Sequence, residues 1–181
     1  MSKIWLFTPY STEKDLGKCY NQMMELLPSD EDYACFTDGD SMFTTHNFGH
    51  QLQDIVNKYP EVPLFTCVTN RVGTQYQCVD GAWEEEEMKI HWEIGKMLQE
   101  TRYDEVVDVT NNTPISGVLM LIRKKEWKEC GGFQEGIGML GVDNSIHYRI
   151  RGLGKNIYMM TGVYVLHYYR SGLPQNKQHL I

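Results

Sequence analysis

The sequence has no run of 18 apolar residues, so no segment of it reads as a membrane span. Its opening, Met1-Ser2-Lys3-Ile4-Trp5-Leu6-Phe7, enters an apolar stretch too short for a signal peptide and without a small-residue cleavage site. A basic excess is missing too: 17 Lys plus Arg against 24 Asp plus Glu leave a net charge of −7. That argues against a broad nucleic-acid surface, but not against an anionic small ligand held through a metal. The five cysteines (Cys19, Cys35, Cys67, Cys78, Cys130) are an odd number without a CxxC pair. They predict reduced thiols in a cytoplasmic protein rather than a disulfide framework or a zinc knuckle. Repeats, low-complexity tracts, a GxSxG elbow, an HExxH pair and a P-loop are all absent. What remains is ordinary globular composition, 41% hydrophobic and 23% charged over 181 residues, enough for one domain with a real core. Residues 1–171 read as that domain. Residues 172–181, poor in apolar side chains, read as a C-terminal tail expected to be mobile.

Hydrophobic periodicity predicts strands over 4–8, 33–37, 64–69, 105–110 and 118–122, then two more over 156–160 and 163–167. The first is an unalternating apolar run, expected to be covered on both faces. Helical stripes run through Leu16, Cys19, Tyr20, Met23, Met24 and Leu27, and through Phe48, Leu52, Ile55, Val56 and Tyr59, each stopped by a proline. Thr12 and Asp15 fit a capping box ahead of the first. A third helix is expected over 84–101, with Glu84 to Glu87 as its solvated first turn and Met88, Trp92 and Leu98 inward. Shorter helices are expected over 124–130 and 144–152, and 70–83 reads as a long loop. Strands alternating with helices predict an α/β fold, a three-layer sandwich with a mainly parallel central sheet. Ligands in such sheets bind beyond the carboxyl ends of strands, which points to residues 8–11, 38–40 and 167–170.

Three places carry chemistry, the first two of them at those strand ends. Asp38-Gly39-Asp40 follows a strand; two carboxylates spaced this way suit a hard divalent cation, and the glycine allows close approach. The same tripeptide also suits a plain acidic turn. His167 ends the last strand, where it serves as a further ligand, better suited to Mn²⁺ than Mg²⁺, or as a structural histidine. Asp143 stands in Gly138-Met139-Leu140-Gly141-Val142-Asp143-Asn144-Ser145, where a glycine-spaced loop meets a helix; it is either the N-cap or a general base at a cleft rim. His46 and His50, four apart without a third ligand, read as surface residues.

Together these pieces resemble a family 2 type glycosyltransferase with the GT-A fold. The likeness rests mainly on Ser116-Gly117-Val118-Leu119-Met120-Leu121-Ile122-Arg123-Lys124 with Trp127 and Gly131-Gly132-Phe133-Gln134-Glu135, on Gly141-Val142-Asp143-Asn144-Ser145-Ile146 with Arg149, Arg151 and Gly154, and on Tyr164-Val165-Leu166-His167. Phe7-Thr8-Pro9-Tyr10, Leu16-Gly17-Lys18-Cys19-Tyr20-Asn21 and the DxD motif Asp38-Gly39-Asp40 extend it towards the N-terminus. The resemblance implies transfer of a sugar, from UDP-hexose by default, to an acceptor hydroxyl of a glycan, a lipid-linked sugar or a protein, with inversion. It implies Asp38, Asp40 and His167 on a Mn²⁺ or Mg²⁺ ion and Asp143 as the base. Thr8, Pro9, Tyr10 and Lys18 would border the nucleotide, Gly117 would lie near the sugar, and Arg170 would pair with the diphosphate. Val142 departs from the family's usual acidic residue, the stretch before the DxD motif is short, and no appended acceptor domain is expected. Alternatives are a nucleotidyltransferase on a similar sheet and a catalytically idle sugar-nucleotide or glycan-binding module.

Overall fold

The computed structural model describes residues 2–168, so Arg170 and the 172–181 tail lie outside the described residues. In chain order the elements are β1 (Ile4–Phe7), α1 (Leu16–Glu25), β2 (Tyr33–Thr37), β3 (Ser41–Phe43), α2 (Phe48–Lys58), β4 (Leu64–Thr69), α3 (Met88–Arg102), β5 (Val106–Asp108), β6 (Leu119–Arg123), α4 (Lys124–Glu129), α5 (Val142–Gly152) and β7 (Ile157–His167). The strands form one seven-stranded sheet in the order β1-β2-β6-β4-β7-β3, with β5 also on β7.

Successive residues of a strand point to opposite faces, and helices cover both. Ala34, Phe36, Met120 and Ile122 pack under Tyr20 and Met24 of α1, Trp127 of α4, and Ile146 and Ile150 of α5. Tyr33, Cys35, Leu119, Leu121 and Phe65 pack under Leu52, Ile55 and Val56 of α2. The α/β class is as expected, but the sheet is mixed rather than mainly parallel. Among the strands of the described residues, only β1–β2 and β4–β7 are parallel, while β6 runs antiparallel between β2 and β4, and β3 and β5 run antiparallel to β7. Alternation along the chain fixes the class; which strand lies beside which is a matter of long-range pairing.

Several local expectations are corrected for the same reason. β1 is the sheet's first strand, so Trp5 and Leu6 stay 38% and 53% exposed rather than covered on both faces. The two strands expected at the C-terminus are one: β7 continues through a register shift in which Cys67 pairs Met160 and Val68 pairs Tyr164, absorbing residues 161–163. Gly162 is required there, because a Cβ would sit 2.2 Å from the Arg102 carbonyl oxygen. The α1 cap is Asp15, which accepts the Lys18 N–H while Ser11 Oγ accepts the Asp15 N–H, so Thr12 is not the capping residue. Glu84 to Glu87 precede α3 rather than forming its first turn. Its buried face is His91, Gly95 and Leu98, and Trp92 is exposed. Close approach decides that face: a Cβ on Gly95 would meet Thr44 Oγ1 at 1.9 Å. β3 is an element the periodicity does not announce, being three half-buried residues.

Candidate metal centre and Asp143

The step from Thr37 to Ser41 carries the chain from β2 to the far side of β7. Asp38-Gly39-Asp40 is therefore a strap laid over the strand ends between them. Four residues reach on the order of 14 Å at most. The crossing is made where the β4–β6 ladder, confined to Leu64↔Ile122 and Phe65↔Leu121, has lapsed and the Thr66 hydroxyl instead donates to the Leu119 carbonyl at 3.0 Å. The Asp38 N–H donates to the Val118 carbonyl at 3.3 Å. The Ser41 hydroxyl donates to the Asp38 carbonyl at 2.7 Å, and the Tyr168 N–H to the Asp40 carbonyl at 2.8 Å.

On the far side, Ser41 of β3 pairs with His167 of β7. That register sets His167 Nε2 at 3.3 Å from an Asp40 carboxylate oxygen and 3.6 Å from one of Asp38. One donor atom from each of the three residues lies within 4.8 Å of the others. His167 Nδ1 is 2.8 Å from the Arg71 carbonyl oxygen. A carbonyl only accepts, so Nδ1 carries the proton and Nε2 is directed at the carboxylates, the arrangement of a metal-ligating imidazole backed by a carbonyl.

The electrostatics favour added positive charge. Burial pushes the Asp38 carboxyl up to about 6, against the pull of His167 and with help from Asp40 and Asp143. Asp40, half exposed, is held below the usual carboxylate range chiefly by its hydrogen bond with His167. Burial draws His167 down, but the Asp40 hydrogen bond, the Arg71 carbonyl and the two carboxylate charges outweigh it, and the net direction is up. Two carboxylates around one imidazole are balanced either by a proton or by a cation.

Asp143 sits in the first turn of α5, which begins at Val142 rather than Asn144. It is not the N-cap; that position is Gly141, whose φ of 81° is left-handed. Asp143 Oδ1 accepts the Asn144 N–H at 2.8 Å and Oδ2 the Gly117 N–H at 2.9 Å. Burial raises its carboxyl, and those two N–H groups oppose the shift. Gly117 adjoins Val118, the residue that accepts from Asp38, so two consecutive residues tie Asp143 and the strap together. Val142 is buried in the core under α5, so the side chain there packs rather than facing a cleft.

Of the other candidates, Thr8 lies beside the strap, its hydroxyl 3.5 Å from that of Thr37 and its methyl 3.8 Å from where a Gly39 Cβ would stand. Pro9 is half-buried and Tyr10 largely exposed, its carbonyl accepting the Cys19 thiol at 3.5 Å. Lys18 is turned to a surface ion pair with Glu13 at 2.7 Å rather than to the acidic cluster. Arg170 is outside the described residues. His46 and His50 are exposed.

Three residues read only as loop turn out to brace the site. Asn70 and Arg71 follow β4 and lie against His167. Gln77, fully buried, accepts the Ser116 N–H at 2.7 Å and donates to the Thr66 hydroxyl at 2.9 Å, fixing the residue before Gly117. The parallel β4–β7 pairing is the signal that could have found the first two, because residues following one strand lie beside the end of its neighbour. Compared with known proteins, the chain matches no family model and no curated protein.

Proposed function

We propose that the chain is a metal-dependent glycosyltransferase of GT-A-like arrangement, moving a sugar from a nucleotide-sugar donor, UDP-hexose in the first instance, to an acceptor hydroxyl with inversion. The observation that carries this reading is the convergence of Asp38, Asp40 and His167, with Asp143 tied to the same strap through residues 117–118. The donor set, two hard oxygens and an imidazole with its tautomer fixed by Arg71, fits a divalent cation and favours Mn²⁺ over Mg²⁺. When bound, such an ion supplies charge stabilisation for a departing nucleoside diphosphate.

The chain's own residues would do the rest. Asp143, its carboxyl raised by burial, is a stronger base than a surface carboxylate and would take the proton of the attacking hydroxyl. The Gly117 and Asn144 N–H groups orient it, and each carboxylate oxygen keeps a second lone pair. Thr8, beside the strap, with Pro9 and Tyr10 following it, would border the nucleotide, and Gly117 would floor the sugar. A base on the side opposite the leaving group gives a single displacement, hence inversion.

The test is product analysis with a panel of nucleotide sugars, Mn²⁺ and hydroxyl acceptors. Metal-dependent release of nucleoside diphosphate, with a glycoside of inverted anomeric configuration, is the expected result. Failure of every nucleotide sugar to bind in the presence of metal removes the reading. The second reading, a sugar-nucleotide-binding module without turnover, is favoured by the two N–H groups already on Asp143; metal-dependent binding with no product would establish it.

A further inference from the structure

At the carboxyl end of β4 a side chain continues the sheet where the backbone stops. The parallel β4–β7 ladder runs to Thr69↔Val165. Two residues on, His167 offers its N–H and its carbonyl towards β4, and the Asn70 carboxamide takes both. Asn70 Oδ1 accepts the His167 N–H at 2.8 Å, and its Nδ2 donates to the His167 carbonyl at 3.2 Å. Asn70 is 2% exposed, and the Thr69 hydroxyl donates to the same Oδ1 at 3.3 Å. The next peptide unit supplies the Arg71 carbonyl that receives the His167 Nδ1 proton. One dipeptide therefore holds the backbone of His167 through a side chain and its imidazole through a main-chain oxygen.

We propose that Asn70 is a positioning residue for the cation site: its carboxamide sets the backbone of His167 so that the Arg71 carbonyl fixes the ring and Nε2 stays aimed at Asp38 and Asp40. The inference rests on the reading of that cluster as a metal centre. A carboxamide is the side chain that presents one donor and one acceptor in the spacing of a peptide group. Outer partners of this kind matter because ligand orientation, rather than ligand identity, is lost without them, typically at 10–100-fold in metal affinity.

A structural role alone would have the same burial and the same chemistry without the same consequence, and the molecule contains that control. Gln51 is a fully buried carboxamide that donates to the carbonyls of Tyr103 at 2.8 Å and of Gly162 at 2.9 Å, gripping β7 away from the cluster.

The experiment titrates Mn²⁺ into wild type, Asn70→Ala and Gln51→Ala, well below each protein's melting temperature, reading free Mn²⁺ by electron paramagnetic resonance. Asn70→Ser, which keeps a hydroxyl at the site, replaces Asn70→Ala should the latter not fold. The affinity of the Asn70 variant is expected to fall about 10–100-fold and that of Gln51→Ala to stay within about 3-fold of wild type. Equal losses in both variants, or wild-type affinity in the Asn70 variant, would overturn the proposal. The His167 ring is read in parallel by long-range ¹H–¹⁵N spectra of the metal-free proteins, taken at a pH high enough for the imidazole to be neutral. A single Nδ1–H tautomer in wild type and Gln51→Ala, and a mixture in the Asn70 variant, are expected. Should wild type bind no Mn²⁺, the metal reading fails by itself, and an unchanged tautomer in the Asn70 variant would then reject the positioning role.

Discussion

Asp143 Oδ2 accepts the N–H of Gly117 at 2.9 Å, and a Cβ placed on Gly117 would stand 3.2 Å from the Asp143 Cβ. Gly117 has no left-handed φ, so alanine is conformationally allowed there and its effect isolates the contact. Gly117→Ala is expected to displace the carboxylate by a few tenths of an ångström and lower turnover on the order of ten-fold or more, with metal-dependent nucleotide affinity kept. Steady-state kinetics beside calorimetry checks this. A variant with full turnover would show that the carboxylate's placement does not matter.

Asp143→Asn keeps the shape and the two N–H contacts in part, but removes the carboxylate proposed as the base. Turnover should drop about 10²–10⁴-fold while the donor still binds. Rates measured across pH add a second check: in wild type the rate should fall on the acid side as the burial-raised carboxyl is protonated, and the residual rate of the variant should lack that limb.

Asp40→Ala removes one of the two carboxylates facing His167. Mn²⁺-dependent binding of a nucleoside diphosphate should weaken at least about ten-fold, and chelation of the metal should bring wild type to the same level. Calorimetric affinities that do not change with the substitution would take Asp40 out of the site.

Gly17 lies in α1, where alanine ordinarily adds up to about 1 kcal/mol to a helix. Here a Cβ would fall 1.9 Å from the Gln134 carbonyl oxygen. Gly17→Ala should therefore destabilise, by roughly 1–3 kcal/mol as overpacking does, and the urea midpoint reads the sign. A stabilised variant would mean that the 134–135 segment is free to withdraw from α1.

His147 is fully buried, its Nε2 3.2 Å from the Thr110 carbonyl and its Nδ1 accepting the Ile115 N–H at 3.4 Å. Burial, with Arg151 adding, holds the imidazole below its usual value, against the pull of the Thr110 carbonyl. The folded state thus binds fewer protons here than the unfolded chain, and stability rises with pH in that window. Its contribution is fully present above the unfolded value of about 6.5 and is lost as pH falls from there towards the lowered folded value. Denaturant midpoints at pH 7.5 and 5 should differ more in wild type than in His147→Gln.

Much of the molecule can be read locally, and what cannot has a common cause. Tyr33–Thr37 and Leu64–Thr69 are strands to the residue, and Phe48–Lys58 is the helix its stripe implies, because those segments are buried in a pattern the chain itself displays. β3 has no such pattern: its three half-buried residues become a strand only because β7 lies beside them. Trp92 is apolar but outward, since Gly95 and His91 decide how α3 meets the sheet. The DxD tripeptide and the terminal histidine are visible as residue types, whereas their convergence depends on the Ser41↔His167 register. Gln77 gives no sign at all, because an amide's value lies in whose backbone it meets.

The strap between β2 and β3 also dictates an order of events. β3 pairs only with β7, the last strand described, more than 100 residues later in the chain. Until β7 docks, Asp38 and Asp40 have no His167 before them and β3 lacks the strand it pairs with among the described residues. A nascent chain on the ribosome, however well its first strands have gathered, would not yet have assembled the Asp38, Asp40 and His167 cluster. On the proposed reading, ion capture would thus report that β7 has docked, and a chain without that strand would be barred from the proposed chemistry.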